Sequence, residues 1–204
     1  MIAIFFIYGL AYFIFGVSIL IFPKKDSVFK LATSLWFIGI YGLIHGSNKW
    51  LETFVLIYQP FKPLLETISL FVLPASFVFL VLFATITIAE TKNKYSPLKY
   101  LVIILIILWA IITATSQKPL LAGDIWSRYL LGIPGIFLTS YALALQIPYF
   151  KRINLPSAVW YLKIASVIFF LHGIFTGLIV PAANFFPANL INTKNLVELT
   201  SVLV

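Results

Sequence analysis

The sequence predicts an all-α protein, a polytopic transmembrane helix bundle. Three observations carry this. Hydrophobic residues make up 62% of the 204 residues and charged residues only 10%, against about 25% charged in soluble domains. The mean hydropathy is +1.07. Apolar runs of about 20 residues, the length that crosses a bilayer core, recur between short connections rich in Lys, Pro and Asn. No linker or low-complexity tract divides the chain, so residues 1–204 read as a single membrane-embedded domain.

Six full spans can be marked in order. The first covers Ile2–Phe22 and is closed by "PKKDS". It has no basic stretch before it and no small-residue cleavage site, so it reads as a retained helix and not a signal peptide. The second covers Val28–Ser47, the third Leu64–Ala89 and the fourth Leu98–Thr115. The fifth covers Tyr129–Phe150, with Pro134 between Gly132 and Gly135 predicting a kink, and Pro74 predicts another in the third. The sixth covers Ser157–Val180, stopped by Pro181. Two connections are longer. "NKWLETFVLIYQPFKP" reads as an amphipathic interfacial segment, because Trp50, Phe54 and Tyr58 recur every four residues beside Lys49 and Glu52. "SQKPLLAGDIWSR" reads as a loop. The chain turns apolar again at Leu196, which is expected to start a seventh span; a short outer amphipathic helix is the alternative.

Basic residues set the expected orientation. Nine lie on one side: Lys24, Lys25, Lys30, Lys92, Lys94, Lys99, Lys151, Arg152 and Lys163. Five lie on the other: Lys49, Lys62, Lys118, Arg128 and Lys194. The first side is therefore expected to be cytoplasmic and the N-terminus outside. The net charge of +8 is read as loop lysines facing anionic lipid. No basic cluster is dense enough for nucleic acid, and the expected partner is the lipid bilayer. With no cysteine, disulfides and thiolate-held metals are excluded.

The two histidines raise the question of function. His45 and His172 each precede a glycine inside an apolar run. On the second span Ser34, Tyr41, His45, Asn48 and Glu52 share one helical face, and Gly39, Gly42 and Gly46 form a neighbouring face for close approach. On the sixth, Tyr161, His172 and Thr176 share a face, beside Gly173 and Gly177. A polar stripe of this kind points into the bundle or a wet cavity. His45 lies four residues below Lys49, about 6 Å. His172 lies nine below Pro181, about 14 Å. Helix six is expected to supply His45's partner, His172 or Thr176, directly or across a ligand. The candidate ligand-binding set is Tyr41, His45, Asn48, Glu52, Arg128, His172 and Thr176. Arg128, at the mouth of the fifth span, is expected to contact a ligand or to pair with Asp124, Glu52 or Glu66.

Two imidazoles from two helices are also the minimum for axial ligation of a haem b iron, with His45 and His172 as the metal ligands and Arg128 near the propionates. Otherwise each imidazole bonds a neighbouring hydroxyl or carbonyl. No Ser/His/acid grouping, HExxH or phosphate loop occurs, so the chain is not expected to be an enzyme. The spans lack acids suited to proton pumping, and the two "HG" pairs do not fit an inverted repeat.

Four stretches carry a resemblance: "YGLAYFIFGVSILIFP", "LWFIGIYGLIHGSNKWLE", "RYLLGIPG" and "VPAANFFPANLIN". In this order they resemble the N-terminal seven-transmembrane sensory region of bacterial sensor histidine kinases and diguanylate cyclases. One departure is that Lys49 stands where that pattern has an acid before Trp50. The resemblance implies a multi-pass protein of the cytoplasmic (inner) membrane and a sensory input that passes a signal to a cytoplasmic output. It also implies a homodimer, with a kinase or cyclase domain outside this sequence. The other readings are a haem-binding, cytochrome-like electron-transfer subunit and a structural accessory subunit of a membrane complex.

Overall fold

The computed structural model describes residues 2–21, 30–92 and 100–196. It is all-helical, with no strand among the described residues. The helices are α1 (Ile2–Ile21), α2 (Lys30–Ile57), α3 (Lys62–Lys92), α4 (Leu101–Thr115), α5 (Pro119–Trp126), α6 (Ile133–Arg152) and α7 (Pro156–Leu178). A π-helical stretch, Ser127–Gly132, joins α5 to α6. Expectations that start at Val28 or Leu98, rest on Lys24, Lys25, Lys94 or Lys99, or continue past Leu196 lie outside the described residues.

Four helical segments are long and apolar enough to cross a membrane: Ile2–Ile21, Gln59–Lys92, Pro119–Arg152 and Pro156–Gly177. Two of the six marked spans are not among them. The described part of α4 is a shorter apolar helix. α2 has the length but not the hydropathy, because its buried face is polar: Ser34, His45, Asn48, Lys49 and Thr53 are all buried.

Two connections differ from the sequence reading. The stretch after Ser47 is not a separate interfacial segment. α2 runs on to Ile57, a 3-10 turn covers Gln59–Phe61, and α3 starts at Lys62. The four-residue aromatic spacing was that of a continuing helix. Trp50 packs back on α1, its Nε1 donating to the Phe6 carbonyl at 3.2 Å, with its ring 5.1 Å from that of Phe13. Pro60 and Pro63, which lack an N–H, mark the reversal. Likewise "SQKPLLAGDIWSR" is mostly helix. Pro119 opens α5 at a position where no N–H is needed, and Trp109 Nε1 ties α4 to α5 through the Gly123 carbonyl at 2.9 Å. Pro134 is the second residue of α6, just past the π-helical stretch, at a helix start where no N–H is needed. Pro74 sits buried inside α3.

α2 and α1 pack through glycine. A Cβ on Gly42 would lie 2.9 Å from Gly16 Cα, and one on Gly16 would lie 2.6 Å from the Gly39 carbonyl oxygen. Only backbone meets backbone there. Gly173 and Gly177 of α7 instead face side chains of α6, Phe137 and Ile133. The core lies between α2, α3 and α6, with Tyr41, Phe77, Leu80, Phe83 and Ile136 fully buried. α1, α4 and α7 turn apolar side chains outward, among them Ile4, Ile107, Val167 and Phe175. Such continuous apolar surface is foreign to soluble monomers and suits lipid.

Candidate functional site

The polar stripe of α2 is buried from Ser34 to Asn48 and half-buried at Glu52, and each member finds a partner on another helix. Ser34 Oγ shares a hydrogen bond with Thr87 Oγ1 at 2.8 Å. Tyr41 Oη lies 3.4 Å from His172 Nε2. His45 Nδ1 meets Ser76 Oγ at 3.1 Å. Asn48 Oδ1 accepts from Ser69 Oγ at 2.8 Å. Glu52 Oε1 lies 3.9 Å from Arg128 Nη2. The i, i+4, i+7 spacing put these groups on one face, and burial without partners would cost several kcal/mol, roughly 2–7 for each hydroxyl or amide.

At the mouth end the stripe widens into a charge cluster. Lys49 Nζ donates to both Glu52 oxygens, at 2.7 and 2.8 Å, and Asn48 Nδ2 donates to Oε1 at 3.0 Å. Arg128 Nη2 donates to Asp124 Oδ1 at 3.1 Å, its side chain only 15% exposed. Two cations thus face two carboxylates. Lys49 also lies over the Tyr8 ring of α1, 5.8 Å from its centroid. Above the cluster opens a cavity of about 560 Å³, whose lining includes Phe5, Glu52, Glu66, Asp124, Arg128 and Pro181. The start of α1, the α2–α3 turn, α5 and the segment after α7 therefore share one end of the bundle. That last segment folds over α5, with Phe185 stacked on Trp126 at 5.8 Å.

Deeper in, the imidazoles sit differently from the sequence reading. The partner of His45 is Ser76 of α3, not His172 or Thr176 of α7. His172 instead meets the hydroxyl of Tyr12, on α1, at 3.1 Å. The Tyr12 ring touches both imidazoles, at 4.7 Å from His45 and 6.1 Å from His172. An iron clamped axially between them would require Tyr12 to leave, so the arrangement does not favour haem. Thr176 is buried one turn beyond His172. Among the described residues no group of three or more His, Asp or Glu side chains could hold a metal ion.

Of the expected set, Glu52 and Arg128 come together at the cavity, with Asn48 buried behind Glu52, and Tyr41 and His172 come together below it. Lys49, Asp124, Tyr8, Tyr12, Ser69 and Ser76 complete the two groups without having been placed in the expected ligand set. Tyr8 and Tyr12 are four residues apart on α1 beside Gly9 and Gly16, the spacing that could have marked them. The serines of α3 carry no comparable signal. No protein-family model, curated protein or solved structure matches this chain.

Proposed function

We propose that the chain is a membrane sensory input module that couples a signal at the outer face to a cytoplasmic output. In this reading it crosses the cytoplasmic membrane six times with its N-terminus outside and needs a seventh crossing to reach the cytoplasmic output; it binds and rearranges without catalysing, and works as a homodimer. The observation that carries the reading is the Glu52–Arg128–Asp124 group on the wall of an open cavity of about 560 Å³, with Lys49 buried behind it against Glu52. Such a cluster offers both signs of charge to a small polar ligand. It also ties α2 to the π-helical stretch that bears Arg128, and π turns are concentrated at functional sites. A ligand that bound one arrangement of these ion pairs better than another would shift α2 and α6 together.

Two experiments test it. Single cysteines at Lys118 and Lys151 are labelled with an impermeant thiol reagent in intact cells; labelling at 118 alone is expected, and labelling at 151 would reverse the orientation. The chain is then joined at its C-terminus, through a membrane-spanning helix that returns to the cytoplasm, to a cyclase domain. Arg128→Gln and Asp124→Asn are expected to change the basal cyclic dinucleotide output severalfold. Output that ignores both substitutions, in protein that reaches the membrane, would refute the sensory reading.

A further inference from the structure

α1 and α7 leave a crevice between them, separate from the mouth cavity and about 230 Å³ in volume. Its walls are aromatic and aliphatic: Tyr8, Ala11 and Phe15 of α1 on one side, Ile168 and Phe169 of α7 on the other. Ala11, Phe15 and Ile168 are exposed on the outward faces of their helices. The crevice therefore opens sideways, toward lipid, in a chain whose α1 and α7 are both apolar enough to span. It also contains Tyr12, Tyr41 and His172, the only polar cluster described along this face.

Proton counting gives the cluster a direction. Tyr8 donates to Tyr12 at 3.4 Å, and the Tyr12 and Tyr41 hydroxyls both approach His172 Nε2, at 3.1 and 3.4 Å. Three contacts serve four protons, one on each tyrosine and one on the neutral imidazole. If Nε2 is the bare nitrogen, it accepts one good bond, and the second tyrosine proton and the Nδ1 proton are unspent. If Nε2 carries the proton, the Tyr12 and Tyr41 protons are unspent. In either tautomer two protons are left over, which favours an acceptor as the guest. Its size is also bounded. The crevice is smaller than the roughly 300–1,000 Å³ of pockets that enclose a whole ligand. It takes one ring, and the rest of the molecule stays in the bilayer. Stacking between Tyr8, Phe15 and Phe169 suits a flat ring.

We propose that the α1–α7 crevice binds the head of a lipid-tailed planar ring bearing a carbonyl, whose oxygen accepts from the Tyr12–Tyr41–His172 cluster. The site does not depend on the sensory reading and would be present in an electron-carrying or accessory subunit alike.

Binding is measured with the full chain in lipid nanodiscs and tritiated decyl-benzoquinone, against empty nanodiscs. Saturable retention near one molecule per chain is expected. Unlabelled decylbenzene, with the ring and tail but no carbonyl, should compete at least tenfold less well. Tyr12→Phe with Tyr41→Phe keeps the rings, removes the hydroxyls and should weaken binding about tenfold. Ala11→Trp, which fills the mouth from the lipid side and keeps all three side chains of the cluster, should abolish it. Equal competition by decylbenzene would reduce the site to an apolar groove and overturn the proposal. So would retention unchanged in Ala11→Trp, a variant whose exposed position keeps the test open if the double tyrosine variant does not fold.

Discussion

Replacing Glu52 by glutamine is the sharpest test of the charge cluster. The carboxylate accepts two bonds from Lys49, at 2.7 and 2.8 Å, and one from Asn48 at 3.0 Å, with Arg128 at 3.9 Å. Glutamine keeps the shape and one acceptor oxygen but leaves two cations to share Asp124. The Lys49 side chain is 6% exposed, so it cannot recover its hydration where it stands, while that of Glu52 is 24% exposed. Removing one partner of a fully buried pair costs about 3–5 kcal/mol. Exposed pairs are worth about 0–1 kcal/mol. The partial exposure of Glu52 places Glu52→Gln between them, at about 2–3 kcal/mol. Lys49→Met with Glu52→Gln removes both charges and leaves the Arg128–Asp124 pair intact. The double variant should then be more stable than the two single losses added together, by about 2 kcal/mol. Unfolding of purified protein in detergent micelles, followed by near-ultraviolet circular dichroism, reads all four proteins. Glu52→Gln within about 0.5 kcal/mol of the parent, or strict additivity in the double variant, would refute the view that the cluster is a coupled unit.

Three more outcomes follow from the packing. Gly42→Ala should cost about 1–3 kcal/mol, because its new methyl meets the Gly16 backbone at 2.9 Å; Gly173→Ala, facing the Phe137 ring at 3.1 Å, should cost less than about 1 kcal/mol, and the same unfolding assay compares them. Ser76→Ala removes the partner of a buried imidazole and should cost about 1–3 kcal/mol, with a smaller loss when His45 is already replaced by leucine. The visible spectrum of the purified protein should lack a Soret band, since Tyr12 touches both imidazoles; a band lost in His45→Ala would overturn that placement.

The all-helical class was legible because apolar runs of spanning length need no tertiary context. The boundaries that moved are those where periodicity and punctuation disagreed. Trp50, Phe54 and Tyr58 kept helical spacing past the polar "SNK", and the helix followed the spacing. Pro119 looked like loop punctuation but sits where a helix begins. The count of spans was harder to read, because the hydropathy of α2 falls short of a spanning helix for a structural reason. It is covered by α1 and α3, so it carries the polar groups. The stripe itself was legible from residue spacing: Tyr41, His45 and Asn48 are all buried on one face. The partners were not. Serine at Ser69 and Ser76 is too common in helices to signal a site, and which helix lies against His45 is a property of packing that no local pattern records.

These partners explain why so polar a helix can sit in so apolar a chain. Between membrane helices there is little hydrophobic gain, so association rests on close packing and hydrogen bonds. α2 uses both, on adjacent faces. Its glycines let the α1 backbone approach until no methyl fits between them. Its polar stripe then reaches the opposite way: to α3 through Thr87, Ser76 and Ser69, to α7 through His172, and to the α5–α6 junction through Arg128. Each bond alone is worth about 1 kcal/mol. Because all five share one rigid face, α2 cannot slide by one residue without breaking several together, leaving each group unpaired where water does not reach. The same coupling connects the two candidate sites. The mouth cavity touches the stripe at Glu52 and the lateral crevice touches it at Tyr41, eleven residues and about 16 Å apart along one helix. A ligand held in either would therefore bear on the register of α2.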